Sequence, residues 1–266
     1  MTDISGGTRI YAVIADPAFQ LRTPEFINPM FRRRGANIVA VPVHVSSTDL
    51  TQMWSALRTM RNLAGIGVAM PHKAAAADLC DRLDSTAALL RVVSTVRRQR
   101  DGTFLGAALD GLGFVDGLRK RAHVLAGKRV LMIGAGGAAT ANAFALVQEG
   151  IQSLRIVNRD AARARSLVDK VNKHCGRVLA QHGKADLHAC DIVINATSLG
   201  LQPSDALPVD ADALEARHLV VDLVARPPIT RFLQAAQGKG CAIQTGTHTI
   251  ECHLERVASF ICDEIQ

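Results

Sequence analysis

The stretch that decides the fold is an apolar run followed by a glycine-rich turn, Val130-Leu131-Met132-Ile133-Gly134-Ala135-Gly136-Gly137-Ala138-Ala139. A strand, such a turn and an uncharged helix form the context of a dinucleotide-binding fingerprint. Gly134 permits the tight turn, and Gly136 lets the main chain approach a pyrophosphate. N–H groups at the helix N-terminus then face the phosphates. The predicted cofactor-binding residues are Gly134, Ala135, Gly136, Gly137 and Ala138.

The end of the next predicted strand bears on the choice of dinucleotide. It is Ile156-Val157-Asn158-Arg159-Asp160, and Arg163 follows one turn later. A site selective for NAD usually has a carboxylate there, which accepts a hydrogen bond from the ribose 2′-hydroxyl. Guanidinium groups suit a 2′-phosphate instead. We therefore predict NADP over NAD, bound by Asn158, Arg159 and Arg163. Asp160 either repels the phosphate or caps the next helix.

Short β-rich runs alternate with helical patterns on both sides of this stretch. The alternation predicts an α/β fold with mainly parallel sheets. Asn28 is predicted to cap a helix that begins at Pro29, and Pro71 is predicted to open another. Asp101-Gly102 predicts a hairpin turn. A closing helix is predicted over residues 249–265, and a domain boundary is expected near residues 116–128.

The composition narrows the class of protein. Hydrophobic residues make up 48% and charged residues 21%, which excludes disorder for most of the chain. Residues 117–186 hold 13 Lys or Arg against 4 Asp or Glu and carry the whole positive excess. A phosphorylated cofactor and nucleic acid both suit such a segment. Because only 4% of residues are aromatic and no nucleic-acid motif is present, we expect no nucleic-acid partner.

Cysteine spacing and hydropathy indicate a cytoplasmic protein. The six cysteines form no C-x-x-C pattern, and no signal-peptide pattern opens the sequence. The uncharged residues 130–147 include three glycines, so we expect a buried strand, turn and helix and no membrane span. His248 and Cys252 lie four residues apart, but a third ligand is not evident and no metal is expected.

Further motifs carry a resemblance to a known family. Lys73 ends the motif G-I-G-V-A-M-P-H-K of residues 65–73, and Asp110 lies in A-L-D-G of residues 108–111. Residues 194–200 are I-N-A-T-S-L-G. Together with the glycine turn and the Asn-Arg pair, these motifs resemble those of the shikimate dehydrogenase family over nearly the whole chain.

The resemblance implies a fold and a chemistry. An N-terminal α/β substrate domain, residues 1–115 and 243–266, accompanies a Rossmann-type NADP-binding domain, residues 116–242, and the C-terminal helix returns to the first domain. In the cleft, Lys73 relays a proton or holds the substrate oxygen while hydride passes between NADP and a secondary alcohol. Asp110 orients Lys73 and binds a substrate hydroxyl. Further cofactor contacts are implied at Thr197, Ser198, Leu199, Leu223, Gly246 and Thr249.

The sequence departs from the family pattern at positions implied to bind the substrate. Leu21 replaces the first serine of S-x-S-P, while Thr23 keeps the second hydroxyl. Other family residues with polar side chains are replaced at Gly67, Ala69, Ser94 and Ala108. His253 replaces a substrate-binding glutamine of the family, and His248 replaces a glycine. Each lost hydrogen bond to a buried substrate group costs about 1–3 kcal/mol. We therefore predict weak shikimate activity and another preferred hydroxy acid, bound by Leu21, Thr23, Ala69, Ser94 and His253.

Two other functions stay open from the sequence. Methylenetetrahydrofolate dehydrogenases are similar in architecture and also use a cleft lysine. A non-catalytic NADP(H)-binding regulator would keep the glycine turn, but it need not keep both Lys73 and Asp110. The expected partner is a small-molecule hydroxy acid, and the chain is expected to be a monomer or a homodimer.

Overall fold

The computed structural model describes residues 4–263, and contacts within the chain divide these residues into two units. The first unit holds the described residues up to Leu109 and those from Leu254 onward, and the second holds Asp110–His253. Each unit has its own six-stranded sheet. The domain boundaries expected from the sequence stay a prediction.

The first unit is a mixed sheet flanked by helices. In chain order its elements are β1 (Arg9–Ala15), a 3₁₀ turn (Ala18–Gln20), α1 (Thr23–Arg33), β2 (Ile38–His44), α2 (Leu50–Thr59), β3 (Leu63–Val68), α3 (Lys73–Leu79), β4 (Arg82–Leu83), α4 (Ser85–Leu90), β5 (Thr95–Arg98) and β6 (Phe104–Ala107). The strand order is β2-β1-β3-β5-β6-β4, and β5 is antiparallel to both neighbours. The predicted hairpin at Asp101-Gly102 is therefore confirmed. Trp54 and Phe104 meet edge to face in its core.

The second unit is built on a fully parallel sheet. Its elements are α5 (Asp110–Lys120), β7 (Arg129–Ile133), α6 (Gly137–Gln148), β8 (Ser153–Val157), α7 (Ala161–Cys175), β9 (Ala180–His182), β10 (Ile192–Asn195), a 3₁₀ turn (Ala211–Ala213), β11 (Leu219–Asp222), α8 (Arg231–Gly238), β12 (Ala242–Gln244) and the beginning of α9 (Gly246–Cys262). The residues of α9 from Leu254 onward belong to the first unit. The strand order is β12-β11-β10-β7-β8-β9. The order reverses beside β7, and ligands of such sheets bind outside the carboxyl ends of the strands at that point. The predicted α/β class and Rossmann-type half are confirmed.

The uncharged residues 130–147 divide between β7, the glycine turn and α6. Within residues 4–263, no helix has both the length and the apolar character needed to cross a bilayer.

Three predicted helix starts are wrong. Helix α1 begins at Thr23, with Pro24 in its first turn, and Pro29 lies inside it. Asn28 does not cap the helix, because its side-chain amide pairs with the main chain of Ala40 on β2. Helix α3 begins at Lys73, two residues after Pro71. Helix α9 begins at Gly246, three residues before the predicted start, and the predicted end at Ile265 lies outside the described residues.

One ion pair fastens the amino ends of two neighbouring strands in the second unit. The Asp191 carboxylate accepts hydrogen bonds from the main-chain N–H of Arg129 at 2.9 Å and from its guanidinium at 2.7 and 3.1 Å. The guanidinium holds the pKa of Asp191 at about 2, below the ordinary value of 3.8. A depressed carboxyl pKa stabilises the folded state above the unfolded-state pKa, and this contribution is lost as the pH falls through the folded-state value.

We expect Asp191→Ala to lower the free energy of unfolding at pH 7 by about 1–2 kcal/mol, after discounting for solvent screening. The difference from the wild type should shrink as the pH falls below 3.8 and vanish near pH 2. Urea unfolding at several pH values measures it. Asp212→Ala, which removes an exposed partner of Lys239, is the control and should cost less than about 0.5 kcal/mol. A pH-independent loss in the Asp191 variant would contradict the assignment.

Candidate active site

The turn after β7 requires a glycine at its first position. Gly134 has a φ of +116°, and a Cβ there would lie 2.6 Å from the carbonyl oxygen of Ala196. The N–H of Gly134 also donates to the carbonyl of Val157 at 2.8 Å. The turn is therefore held between the ends of β8 and β10, and a side chain at position 134 would push it away from both.

The N-terminus of α6 fits a phosphate group. Gly136 is the N-cap residue and supplies no capping side chain. A Cβ at Gly136 or Gly137 would meet nothing within 4 Å, so the space in front of the first helical N–H groups is open. Those N–H groups and the positive end of the helix dipole suit an anion. The residues present thus fit the pyrophosphate of a dinucleotide.

A buried polar network shapes the loop that faces this turn. Asn195 ends β10, and its amide donates to the Leu199 carbonyl and to Asp222, both at 2.9 Å. The Thr230 hydroxyl donates to the other Asp222 oxygen at 2.6 Å. Asn195, Asp222 and Thr230 are fully buried, and burial raises the pKa of Asp222.

The same network positions two of the predicted cofactor residues. Both the N–H and the hydroxyl of Thr197 donate to the Asn195 side-chain oxygen, and the Thr197 hydroxyl accepts from the N–H of Leu199. Ser198, between them, is exposed. Sequence reasoning missed Asp222 and Thr230, because the only signal was their position at a strand end and a helix N-cap.

The end of β8 presents positive charge. Asp160 caps α7, accepting from the N–H groups of Ala162 and Arg163, which confirms the capping role predicted for it. Its other carboxylate oxygen lies 3.4 Å from the Arg163 guanidinium. Asn158 donates to the Asp160 carbonyl, and Arg159 and Arg163 are exposed. An adjoining cavity of about 320 Å³ is lined by Ala135, Thr140, Ala162, Arg163, Ser166, Leu167 and Lys170. The sequence analysis missed Ser166 and Lys170, although both follow Arg163 at helical spacing.

The remaining predicted cofactor residues lie at the ends of β11 and β12. A Cβ at Gly246 would lie 2.5 Å from the Val224 carbonyl and 2.6 Å from the Leu223 carbonyl. Gly246 therefore lets α9 start directly against the Leu223-Val224 main chain. Thr249, one turn later, donates its hydroxyl to the Thr245 carbonyl.

Asp110 and His253 lie side by side in the second unit. Asp110 begins α5, and His253 Nε2 is 3.9 Å from Asp110 Oδ1. The helices approach closely because Gly113 has no side chain: a Cβ there would lie 2.3 Å from the His253 Cα. The sequence predicted each residue separately and did not pair them.

Two other side chains of α9, His248 and Cys252, lie next to each other. His248 Nε2 lies 3.2 Å from the Gly117 carbonyl and 3.7 Å from Cys252 Sγ. Throughout the part of the chain that the structure describes, no group of three potential metal ligands occurs.

Lys73 begins α3 in the first unit, at the carboxyl edge of the parallel strands. Its carbonyl accepts from the N–H of Val93. The neighbouring Ser94 is buried, and its hydroxyl accepts from the N–H of Leu109 at 3.0 Å and lies 3.4 Å from the Ala107 carbonyl. Ser94 therefore fixes the main chain at the residue before Asp110. This is a structural role in addition to the substrate contact that the sequence predicts for Ser94.

One other departure from the family pattern, at Gly67, has a local cause. A Cβ at Gly67 would lie 3.0–3.2 Å from the Tyr11 ring and hydroxyl, so Tyr11 fills the space of a larger side chain. The Tyr11 hydroxyl pairs with Thr95 at 2.8 Å. Leu21 ends the 3₁₀ turn and Thr23 begins α1, and both side chains are half-buried. The N–H of Ala69 donates to the carbonyl of Ile14.

A parallel sheet of this order with an open glycine turn and exposed arginines after its second strand defines a dinucleotide-dependent oxidoreductase of the Rossmann type. Comparison with known proteins is consistent with this class. Residues 13–96 match the shikimate dehydrogenase substrate binding domain, and residues 117–229 match the shikimate / quinate 5-dehydrogenase family. A shikimate dehydrogenase (NADP⁺) of Lysinibacillus sphaericus is 35% identical over 89% of this chain and 86% of its own length. The chain belongs to the shikimate dehydrogenase family.

Solved structures agree with the fold. A shikimate dehydrogenase in complex with NADP⁺ superposes with a TM-score of 0.91 at 26% identity, covering 98% of this chain and 92% of its own. The 5-ketofructose reductase of a Gluconobacter strain gives a TM-score of 0.86 at 28% identity, covering 97% of this chain and 99% of its own. The same fold thus occurs in proteins named for different substrates.

Two glycines of the turn give a matched pair of variants. We expect Gly134→Ala to lower the free energy of unfolding by about 2 kcal/mol or more, because its methyl group meets the Ala196 carbonyl at a positive φ. Gly137→Ala, which has open space around it, should leave stability unchanged or slightly raised. It should nevertheless weaken NADP⁺ binding, because the methyl group enters the space in front of the helix. Thermal unfolding and calorimetric titration measure both effects. Wild-type affinity in Gly137→Ala would exclude this helix as the phosphate site.

Proposed function

We propose that the chain is an NADP-dependent dehydrogenase that transfers hydride reversibly between NADP and a secondary alcohol of a hydroxy acid. The observation that carries the proposal is the open N-terminus of α6 beside the exposed Arg159 and Arg163, in a chain of this family. The phosphates would contact the N–H groups of the turn, and the two guanidinium groups would contact a 2′-phosphate. The curated relative is itself named for NADP⁺.

Lys73 is the proposed proton-transfer residue. It is the only lysine in residues 1–109, which contain 12 arginines. Arginine stays charged throughout the physiological pH range, whereas an amine can release and regain a proton. When bound, the nicotinamide accepts or returns hydride. Lys73 would take the alcohol proton as hydride leaves the carbon and return it in the reverse direction.

Asp110 is proposed to act on the same substrate, as an acceptor for a substrate hydroxyl and an orienting charge for Lys73. His253 adds a feature of its own, because its Nε2 lies 3.9 Å from the Asp110 carboxylate. The imidazole would therefore share Asp110 with the substrate, and its two ring nitrogens would bind a substrate group differently from the amide of the family's glutamine.

The substrate is proposed to be a hydroxy acid other than shikimate. The first unit offers few polar groups at the positions concerned, because Leu21 and Ala69 are apolar and Ser94 is engaged with Leu109. Tyr11 also fills the space beside Gly67. A substrate with fewer ring hydroxyls suits these side chains better. The domain boundaries, a cytoplasmic location, a monomeric or dimeric state and the absence of a nucleic-acid partner are part of the same proposal.

Variants of Lys73 test the enzymatic function. With NADP⁺ and a panel of cyclic and linear hydroxy acids followed at 340 nm, Lys73→Ala and Lys73→Arg should both lower kcat by about 10²–10⁴-fold while NADP⁺ affinity is unchanged. Lys239→Ala, on an exposed ion pair of the second unit, is the control. Retained turnover in Lys73→Arg would restrict Lys73 to charge stabilisation. A wild type that binds NADP⁺ without any turnover would support the regulator, and activity on methylenetetrahydrofolate would support the other enzyme.

A shikimate assay tests the substrate proposal. Shikimate should be oxidised with a kcat/KM about 10³-fold or more below that for the best hydroxy acid. His253→Gln should raise shikimate kcat/KM by about tenfold, because it restores the glutamine of the family pattern, whose amide offers two N–H donors and a carbonyl acceptor where the neutral imidazole offers one of each. His182→Gln, exposed on β9, is the control and should change nothing. Shikimate oxidation by the wild type at the level of ordinary family members would refute the proposal.

A further inference from the structure

His72 is a buried histidine to which the proposed function assigns no role. Only 1% of its surface is exposed, and its Nε2 lies 2.8 Å from the main-chain carbonyl of Val45. A carbonyl oxygen only accepts hydrogen bonds, so Nε2 carries the proton and donates. His72 directly precedes Lys73 and occupies the N-cap position of α3. A buried hydrogen bond therefore lies one residue away from the proposed proton-transfer residue.

The carbonyl that accepts this hydrogen bond belongs to a well-fixed segment. Val45 follows β2 directly and is buried. Its own N–H donates to the carbonyl of Ala15, the last residue of β1, at 3.1 Å. Because β1 and β2 pair in parallel, the His72 ring ties the N-terminus of α3 to the carboxyl ends of two neighbouring strands.

The main chain of His72 is held at the same point. Its N–H donates to the Ala69 carbonyl at 3.0 Å and closes the turn after β3. Its carbonyl accepts from the N–H of Ala76 at 2.9 Å and so begins the hydrogen bonding of α3. With both the ring and the main chain fixed, the direction in which the next side chain, that of Lys73, leaves the helix is fixed as well.

Helix α3 is short, and its side chains are small. Four of its seven residues are alanines, and its two buried residues are among them. A buried alanine removes less apolar surface from water than a larger side chain does, so packing contributes little to the position of this helix. At its C-terminal end, the Leu79 carbonyl accepts from Trp54 at 3.0 Å and from Arg58 at 2.9 Å. The hydrogen bond of the His72 ring holds the N-terminal end in a similar way.

We propose that His72 is a positioning residue for Lys73. By donating to Val45, its ring sets the N-terminus of α3 and with it the place at which the Lys73 amine meets the alcohol oxygen of the substrate. A displacement of about 1 Å in such a group can lower the rate about 10²-fold. This inference rests on the proposed function, in which Lys73 transfers the proton.

Variants that remove or keep the N–H donor test the proposal. His72→Leu removes it, and we expect kcat with the best hydroxy acid to fall by about 10- to 100-fold while the KM for NADP⁺ is unchanged. His72→Gln places an amide N–H near the position of Nε2 and should recover most of the lost kcat. If His72→Leu fails to fold, His72→Met, with a more adaptable side chain that also lacks the donor, replaces it.

His218 provides a matched control in the second unit. It is also 1% exposed, and its Nε2 lies 2.9 Å from the Leu187 carbonyl, but it precedes β11 at the amino edge of the sheet. His218→Leu should lower the thermal midpoint of unfolding, as His72→Leu does, and leave kcat unchanged. An equal loss of kcat in both leucine variants, or no recovery in His72→Gln, would reduce His72 to a residue of general stability and overturn the proposal.

The NMR spectrum of the protein with ¹³C-methylated lysines separates this proposal from the proposed function. Lys73→Arg identifies the Lys73 signal, which should be displaced in His72→Leu and unmoved in His218→Leu. A wild type without turnover on any hydroxy acid, combined with a displaced signal in His72→Leu, would refute the enzymatic function and support the positioning role. An unmoved signal in His72→Leu would overturn the positioning role whatever the turnover.

Discussion

The main chains at Gly134 and Ala196 approach so closely that position 134 has no room for a Cβ. This approach joins the turn after β7 to the loop after β10, which are the two segments bordering the point where the strand order reverses. The approach is maintained by Asn195, Asp222 and Thr230, whose hydrogen bonds fix the loop from inside. The dinucleotide-binding end of the second unit thus depends on a buried polar network as much as on its glycines.

The first unit uses the two edges of its sheet differently. At the carboxyl edge, the Tyr11 ring fills the space that a larger side chain at position 67 would need. The Ser94 hydroxyl accepts a hydrogen bond from Leu109 and is therefore less available to a substrate. At the opposite edge, the antiparallel direction of β5 brings guanidinium groups of β1, of β5 and of the adjoining turns together. Because β5 runs antiparallel to β3, the strongly basic region lies at one edge of the sheet, and the weakly polar region around Lys73 lies at the other.

Where the sequence predictions failed, a distant contact outweighed a local preference. Asn28-Pro29 has the pattern of a helix start, but the side-chain amide of Asn28 is taken by Ala40 on the neighbouring strand. Strands β4 and β9, with two and three residues, are too short to give an alternating pattern and exist because a longer strand pairs with each of them. The capping role of Asp160 was one of two possible roles in the sequence, and the position of the α7 N–H groups confirms it.

The sequence by itself determined the α/β class, the glycine turn with its strand and helix, the arginines after β8 and the family motifs, because each is a pattern of neighbouring residues. Tertiary structure alone decided which distant residues meet. His253 lies beside Asp110 because Gly113 lets two helices approach, and Tyr11 fills the space at Gly67 because β1 and β3 pair in one register. Spacing along the chain specifies local conformation, whereas such contacts depend on packing between segments that are far apart in the sequence.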